Sequence, residues 1–179
     1  MVAANSNRPR PPVAADISAM LALNAANVTA LSPLDDAELQ QLIAAALYCR
    51  VVGPVGAPLG FLIVLDQTAT YSSPNFVWFQ DRLSRFAYID RIVIAEAARG
   101  TGHAQQLYSD AFDAARGADH TLICCEVNET PPNSVSDRFH ARLGFVAVGR
   151  AELPQPFGRP VKSVKYLQAT LIYAQRDEL

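Results

Sequence analysis

The sequence predicts an α/β fold, a mixed sheet with helices on both faces and central parallel strands joined by a right-handed crossover. Three observations carry this reading. Short β-branched and aromatic runs alternate with stretches whose apolar residues recur at helical spacing. The chain has 179 residues, 50% of them apolar, which suits one domain with a sizeable core. The run from Tyr88 to Tyr108, YIDRIVIAEAARGTGHAQQLY, passes from an apolar strand through a glycine-containing loop into a helix without a break.

Each element has its own local signal. Residues 1–15 contain Asn, Arg and several Pro but no apolar h-region. They do not read as a secretory signal and are expected to be a disordered tail, leaving 16–179 as one domain. Asp16 is placed to cap a helix through Ile17, Met20, Leu21 and Leu23 to about Ala26. Ser32-Pro33-Leu34-Asp35 reads as the start of a second helix, with Ser at the cap, Pro at the first helical position and acids in the first turn, reaching about Ala46. Leu47 to Val52 and Pro58 to Leu65 read as an antiparallel hairpin around the Gly53 to Gly56 turn.

An aromatic and polar excursion over 66–85 precedes the central strand, Phe86 to Ile94. A long helix from Gly102 to about Arg116 turns Leu107, Ala111 and Ala114 to the sheet, and Gly117 is expected to end it. The strand Thr121 to Val127, a short helix from Asn133 to Leu143, and the strands Phe145 to Glu152 and Val161 to Ile172 complete the fold.

Composition excludes some functions. A net charge of -2 gives no general attraction to nucleic acid or to an anionic membrane, so any anion site must be local. Cys49, Cys124 and Cys125 have no zinc or redox spacing, and Cys124 and Cys125, as strand neighbours, point to opposite faces. Reduced thiols fit a cytoplasmic protein. No run reaches the ~18 apolar residues of a membrane span, and nothing in the pattern calls for a metal.

The loop Arg99-Gly100-Thr101-Gly102-His103-Ala104 carries the main chemical signal. Small residues let a ligand approach the backbone, and a helix start leaves N–H groups free at the positive end of the helix dipole, which together favour a phosphate. A Gly pair between strand and helix is also a common tight connection. The spacing is neither Gly-x-Gly-x-x-Gly nor Gly-Lys-Ser/Thr, which counts against an NAD or nucleotide binder.

It does match Arg/Gln-x-x-Gly-x-Gly/Ala, with Arg99 first, Gly102 fourth and Ala104 sixth. In this the chain resembles the GNAT superfamily of acyl-CoA-dependent N-acetyltransferases. A second segment, Asn133 to Phe145, is similar to that family's later helix, Asn-x-x-Ala/Ser-x-x-Phe/Leu-Tyr-x-x-x-Gly-Phe, with His140 in place of the frequent Tyr. The resemblance covers roughly residues 45 to 150. It is closest to a bacterial group carrying Ser-Pro-Asn-Phe-x-Trp-Phe before the central strand, here Ser73 to Phe79.

The resemblance implies a mostly antiparallel sheet whose central parallel strands splay apart where CoA binds. It implies acetyl-CoA as co-substrate, and transfer of its acetyl group to a primary amine of a small molecule or peptide in a ternary complex. The backbone of Ile92, Val93 and Ile94 would hold the pantetheine arm, with the Val93 amide a candidate donor to the thioester oxygen, and Arg99, Gly100, Thr101, Gly102, His103 and Ala104 would cradle the pyrophosphate. Asn128, Asn133 and Ser136 are further candidate contacts to the cofactor, although Asn in such a loop is also a turn former. His140 stands where relatives place the proton donor to the CoA thiolate, and its unperturbed pKa of ~6.5 suits donation near neutrality; the alternative is that the thiolate leaves unaided into water.

Asp90 and Glu126 lie in otherwise apolar strands, where a carboxylate is costly unless paired or facing a solvated cleft. Arg91 is not expected to pair with Asp90, because strand neighbours point to opposite faces. Each acid is a candidate base or clamp for the amine. Tyr71, Phe76, Trp78 and Phe79 read either as a substrate wall or as a helix capped at Ser73 that packs Phe76 and Phe79 into the core. The competing function is an acyl-CoA-binding sensor without turnover. The acceptor's identity and the choice between monomer and homodimer are not read from the sequence.

Overall fold

A computed structural model describes residues 8–28, 31–154 and 161–171. The helices are α1 (Ile17–Ala25), α2 (Asp36–Ala45), α3 (Pro74–Gln80), α4 (His103–Gly117) and α5 (Ser134–Arg142). The strands are β1 (Tyr48–Val52), β2 (Gly60–Asp66), β3 (Ala87–Ile94), β4 (Leu122–Thr130), β5 (Val146–Leu153) and β6 (Lys162–Thr170). They form one sheet in the order β1-β2-β3-β4-β6-β5, antiparallel except where β3 meets β4.

Alternation along the strands sends side chains to two cores. One lies under α4 and α5 and contains Leu107, Tyr108, Ala111, Ile89, Cys125, Val127 and Phe145. The other lies under α1, α2 and α3 and contains Met20, Leu39, Phe76, Phe79, Tyr88, Cys124 and Tyr166. Helices thus cover both faces, as the sequence predicts. Cys124 and Cys125 fall on opposite faces, and all three cysteines are free and buried.

Two irregularities shape the middle of the sheet. The β3–β4 ladder is limited to Ala87–Ile123 and Tyr88–Cys124, after which the strands diverge while β3 stays on β2 and β4 stays on β6. The parallel pair is therefore a fork. At the same level β3 carries a bulge: Ile63 pairs with Arg91 and Val64 with Ile89, so Asp90 is the extra residue. A bulge turns two successive side chains to the same side, which makes possible an ion pair that regular alternation forbids.

Several expected boundaries move for local reasons. α2 starts at Asp36 rather than at Pro33, because Asp35 forms the capping box: the Glu38 amide donates to Asp35 and the Asp35 amide to Glu38, both at 2.8 Å. Ser32 is drawn instead towards Arg91, whose guanidinium donates to its Oγ at 3.3 Å. α4 includes Gly117, and the left-handed residue is Asp119 with φ 60°. Ile172 and residues 1–7 lie outside the described residues.

Residues 8–15, expected to be part of a disordered tail, are anchored: Arg10 bridges to Val51 and Ala14–Asp16 form a turn of 3-10 helix. Asp16 does not cap α1 with its side chain. Its carboxylate is fully buried, paired with Arg10 at 2.7 Å and accepting from the amides of Val13 at 2.8 Å and Gly56 at 2.9 Å. Chiefly through the Arg10 hydrogen bond, its pKa is lowered well below the ordinary 3.8. A depressed carboxyl stabilises the fold above its unfolded value and loses that contribution as pH falls through the folded one. Asp16→Ala is therefore expected to lower unfolding free energy at pH 7 by about 2–4 kcal/mol in urea denaturation, and the gap to wild type should shrink in acid.

Candidate active site

At the strand-to-helix junction after β3, Gly100 and Gly102 hold φ of 77° and 90°, a region that side-chain-bearing residues avoid. The space a Cβ would occupy at either one is open, with no atom within 4 Å. The Thr101 hydroxyl donates to the Ala98 carbonyl at 2.6 Å and braces the loop from inside. The first turn of α4 directs its amides outward, and an open depression of about 460 Å³ beside it is lined by Thr101, Gly102, His103, Gln105, Gln106 and Ser109. Room, left-handed glycines and free donors fit a diphosphate. Arg99 leans away from the glycines, its guanidinium donating to Asn27 at 3.1 Å.

From this loop β3 leads back to the fork. Ile92 and Ile94 turn to the α4 face and Val93 to the opposite one, so this stretch presents to the gap a backbone edge without a β4 partner. Asp90 and Ile92 do not share a face as unbroken alternation predicts, because the bulge intervenes.

The two acids at the fork lie on the α3 face in different settings. Asp90 is paired with Arg91 at 2.6 Å, the two side chains 4% and 2% exposed, and accepts from the Tyr71 hydroxyl at 2.6 Å. The expectation that Arg91 cannot partner Asp90 fails because of the bulge. Arg91 continues to Asn24 Oδ1 at 2.8 Å, tying the last turn of α1 to the fork.

Glu126 is only partly buried. It accepts from Tyr88 at 2.8 Å and from Asn75 Nδ2 at 2.9 Å, and no cation lies within salt-bridge distance of it among the described residues. Loss of hydration pushes its pKa up from 4.5 to about 7, the Tyr88 and Asn75 hydrogen bonds opposing and the Asp90 charge adding. Because the folded value is the higher, the folded protein holds an extra proton between about pH 4.5 and 7, and this group's contribution to stability falls as pH rises through that window.

Other candidates are placed differently from expectation. Phe76 and Phe79 are fully buried and belong to the core, so of the aromatic segment only Tyr71 and Trp78 remain partly exposed. Ser73 makes no side-chain cap. Asn133 caps α5 by accepting from the Ser136 amide at 3.2 Å, and Asn128 is buried beside it.

His140 is 4% exposed and does not face the fork as an open donor. Its Nδ1 is 2.8 Å from the Ser136 carbonyl, an acceptor only, so Nδ1 carries the proton and Nε2 accepts from the Tyr108 hydroxyl at 2.8 Å. Burial also lowers its pKa. In this arrangement the ring has no proton directed at a thiolate, which corrects the expectation drawn from the helix motif.

Sequence reasoning misses Asn75, Tyr88, Arg91, Tyr108 and Tyr166 as members of this constellation. Asn75 stands inside the Ser73 to Phe79 motif, and an Asp-Arg pair in an apolar strand is itself a sign of a bulge. The tyrosines give no such sign, since a strand or helix tyrosine reads as core.

A model of the acetyltransferase (GNAT) family matches residues 30–145. Among solved structures, the yncA protein of Salmonella typhimurium with its cofactor acetyl-CoA is 21% identical, with a TM-score of 0.68 over 96% of this chain and 98% of that one. The ribosomal-protein-alanine N-acetyltransferase of Brucella melitensis is 20% identical, with a TM-score of 0.67 over 90% of this chain and 98% of that one. An N-acetyltransferase of Staphylococcus aureus is 18% identical, with a TM-score of 0.67 over 92% and 98% of the two chains. A search of curated proteins returned no match. These likenesses show the fold; the family match, which spans more than half of the sequence and includes the glycine loop, the fork and all of α5, shows that the chain belongs to the acetyltransferase (GNAT) family.

Proposed function

We propose that the chain is an N-acetyltransferase that passes the acetyl group of acetyl-CoA directly to a primary amine, with both substrates bound at once. The observation that carries this reading is Glu126, a carboxyl with no counter-ion among the described residues at a fork in the sheet, on the strand next to the one that leads into the phosphate loop. A sensor without turnover has no need of such a group. When bound, acetyl-CoA supplies an activated thioester carbonyl.

The chain's own residues hold and prepare the reaction. The amides of Gly100 to Ala104 and the α4 dipole hold the pyrophosphate. The open edge of Ile92 to Ile94 receives the pantetheine as a strand would, and the Val93 amide is the candidate donor to the thioester oxygen. Glu126 takes a proton from the ammonium form of the acceptor, directly or through water. A base with a pKa of about 7 is half-ionised at neutrality, where it combines availability with driving force. Tyr71 and Trp78 border the acceptor side.

The amine belongs to a small molecule or a peptide. A peptide acceptor is in keeping with the Brucella melitensis neighbour, named for acetylating the alanine of a ribosomal protein. With His140 holding Tyr108, the CoA thiolate departs into water. Residues 16–179, with the anchored stretch from Arg10 packed onto them, act as one catalytic domain, and reduced cysteines suit a cytoplasmic enzyme. A thiol-release assay across a panel of amines tests turnover and acceptor class together.

Gly102→Val should abolish measurable acetyl-CoA binding in calorimetry while the protein stays folded, because a β-branched side chain neither adopts φ 90° nor leaves the phosphate its room. Unchanged affinity in a folded variant would move the cofactor elsewhere. Glu126→Gln should lower kcat by about 100-fold with little change in acetyl-CoA affinity. In the wild type kcat/KM should rise to a plateau above a limb near pH 7, and that limb should vanish in the variant.

A further inference from the structure

The row of the sheet under α3 contains more order than a base alone requires. Glu126 of β4 lies directly across from Tyr166 of β6, and Tyr166 directly across from Gly149 of β5. α3 lies over these three positions with Asn75 and Trp78, which share a helix face at spacing three. Asn75 donates from Nδ2 to Glu126 at 2.9 Å and accepts at Oδ1 from the Tyr166 hydroxyl at 3.1 Å. Turning the amide over would set its oxygen against a carboxylate, which only accepts, so the Glu126 end fixes the orientation, while the Tyr166 hydroxyl, able to donate or accept, adapts to it.

Trp78 anchors the other end of this contact. Its ring stacks on Tyr166 at 4.1 Å and 20°, with the guanidinium of Arg82, just past the end of α3, 4.1 Å from the ring centroid. A Cβ on Gly149 would come within 2.4 Å of the Trp78 ring. Gly149 is thus a notch that receives the indole, and the seating of Trp78 in it sets how far α3 settles onto the sheet.

We propose that Asn75 is a positioning residue for Glu126, fixing the orientation of its carboxylate, and that the Trp78–Gly149 contact sets Asn75 at the height this requires. The proposal rests on the reading of Glu126 as the base. Among the described residues, the other side-chain donor to Glu126 is Tyr88, through its other oxygen. The titratable groups on its side of the sheet are Tyr88 and Asp90 from β3, Cys124 on its own strand and Tyr166 from β6, with Cys125 and Tyr108 across the sheet on the other face, while Arg91 is engaged by Asp90. None is a cation directed at Glu126, so a neutral donor such as Asn75 is a principal support of its ionised form.

The test uses the full chain with Asn75→Leu, Gly149→Ala, the double variant and Glu126→Gln. The Glu126 carboxyl is titrated directly by carbon-13 NMR, with Glu126→Gln used to assign the signal, and kcat, KM and thermal midpoint are measured alongside. Asn75→Leu should raise the Glu126 pKa, because a donor to the anion is lost, and lower kcat about tenfold without changing acetyl-CoA affinity. Gly149→Ala should move the same titration in the same direction although it touches no polar group of the site. The double variant should titrate like Asn75→Leu alone, because the glycine acts through the asparagine.

An unchanged Glu126 titration in Asn75→Leu, or additive shifts in the double variant, would overturn the proposal. Should Gly149→Ala fail to fold, the titration of Asn75→Leu still decides the role of Asn75. Wild-type turnover in Glu126→Gln would instead refute the reading of the base, and leave the NMR result to decide separately whether Asn75 orients that carboxylate.

Discussion

β3 has one residue more than β2 can match, and the site depends on that surplus. Without the bulge at Asp90, Asp90 and Arg91 would point to opposite faces, and each would need its own partner in an apolar sheet. With it they meet at 2.6 Å, and Arg91 extends to Asn24 of α1 and to Ser32 in the α1–α2 connection. A buried ion pair adds little net stability, since desolvation offsets most of the attraction. Its consequence here is location: helices that precede β1 in sequence are fastened at the level where β3 and β4 part.

The fork also separates two acids that a sequence treats alike. Asp90 has a guanidinium and a hydroxyl, and the guanidinium neutralises its charge. Glu126 has only neutral donors among the described residues, and loss of hydration makes its charge expensive and its proton exchangeable near neutrality. Different environments for neighbouring carboxyls are a general way to divide roles. On this reading Asp90 organises the site and Glu126 does the proton transfer.

The fold is largely legible in the sequence because its signals are local. Strand periodicity, the hairpin at Gly53 to Gly56 and the strand-loop-helix junction each need only a few adjacent residues, and each recurs within a residue or two in the structure. Where local signals compete, the sequence is ambiguous: Ser32-Pro33 and Asp35-x-x-Glu38 are both helix starts, and the capping box prevails because Ser32 is taken up by Arg91. What is not legible depends on pairing between distant segments. The bulge is a count of β3 against β2, the Asn75–Glu126 contact joins α3 to β4, and the N-terminal stretch is held by Arg10 reaching Gly53 and Pro54. Composition marks that stretch as a tail only because it says nothing of such long-range anchors.

His140 shows the same limit in a motif. The pattern from Asn133 to Phe145 reads as chemistry, yet in the structure it is first a helix: Asn133 caps it, Ser136 ties back to His140, and His140 accepts from Tyr108 among Phe139 and Phe145. The α4–α5 face of the fork is therefore closed by aromatic rings whose polar atoms are satisfied by one another. The α3 face carries Glu126, a carboxyl with no counter-ion among the described residues and a proton to exchange. An amine that must lose a proton has reason to arrive on that side, so the asymmetry of the two cores, more than any single residue, gives the reaction its direction through the sheet.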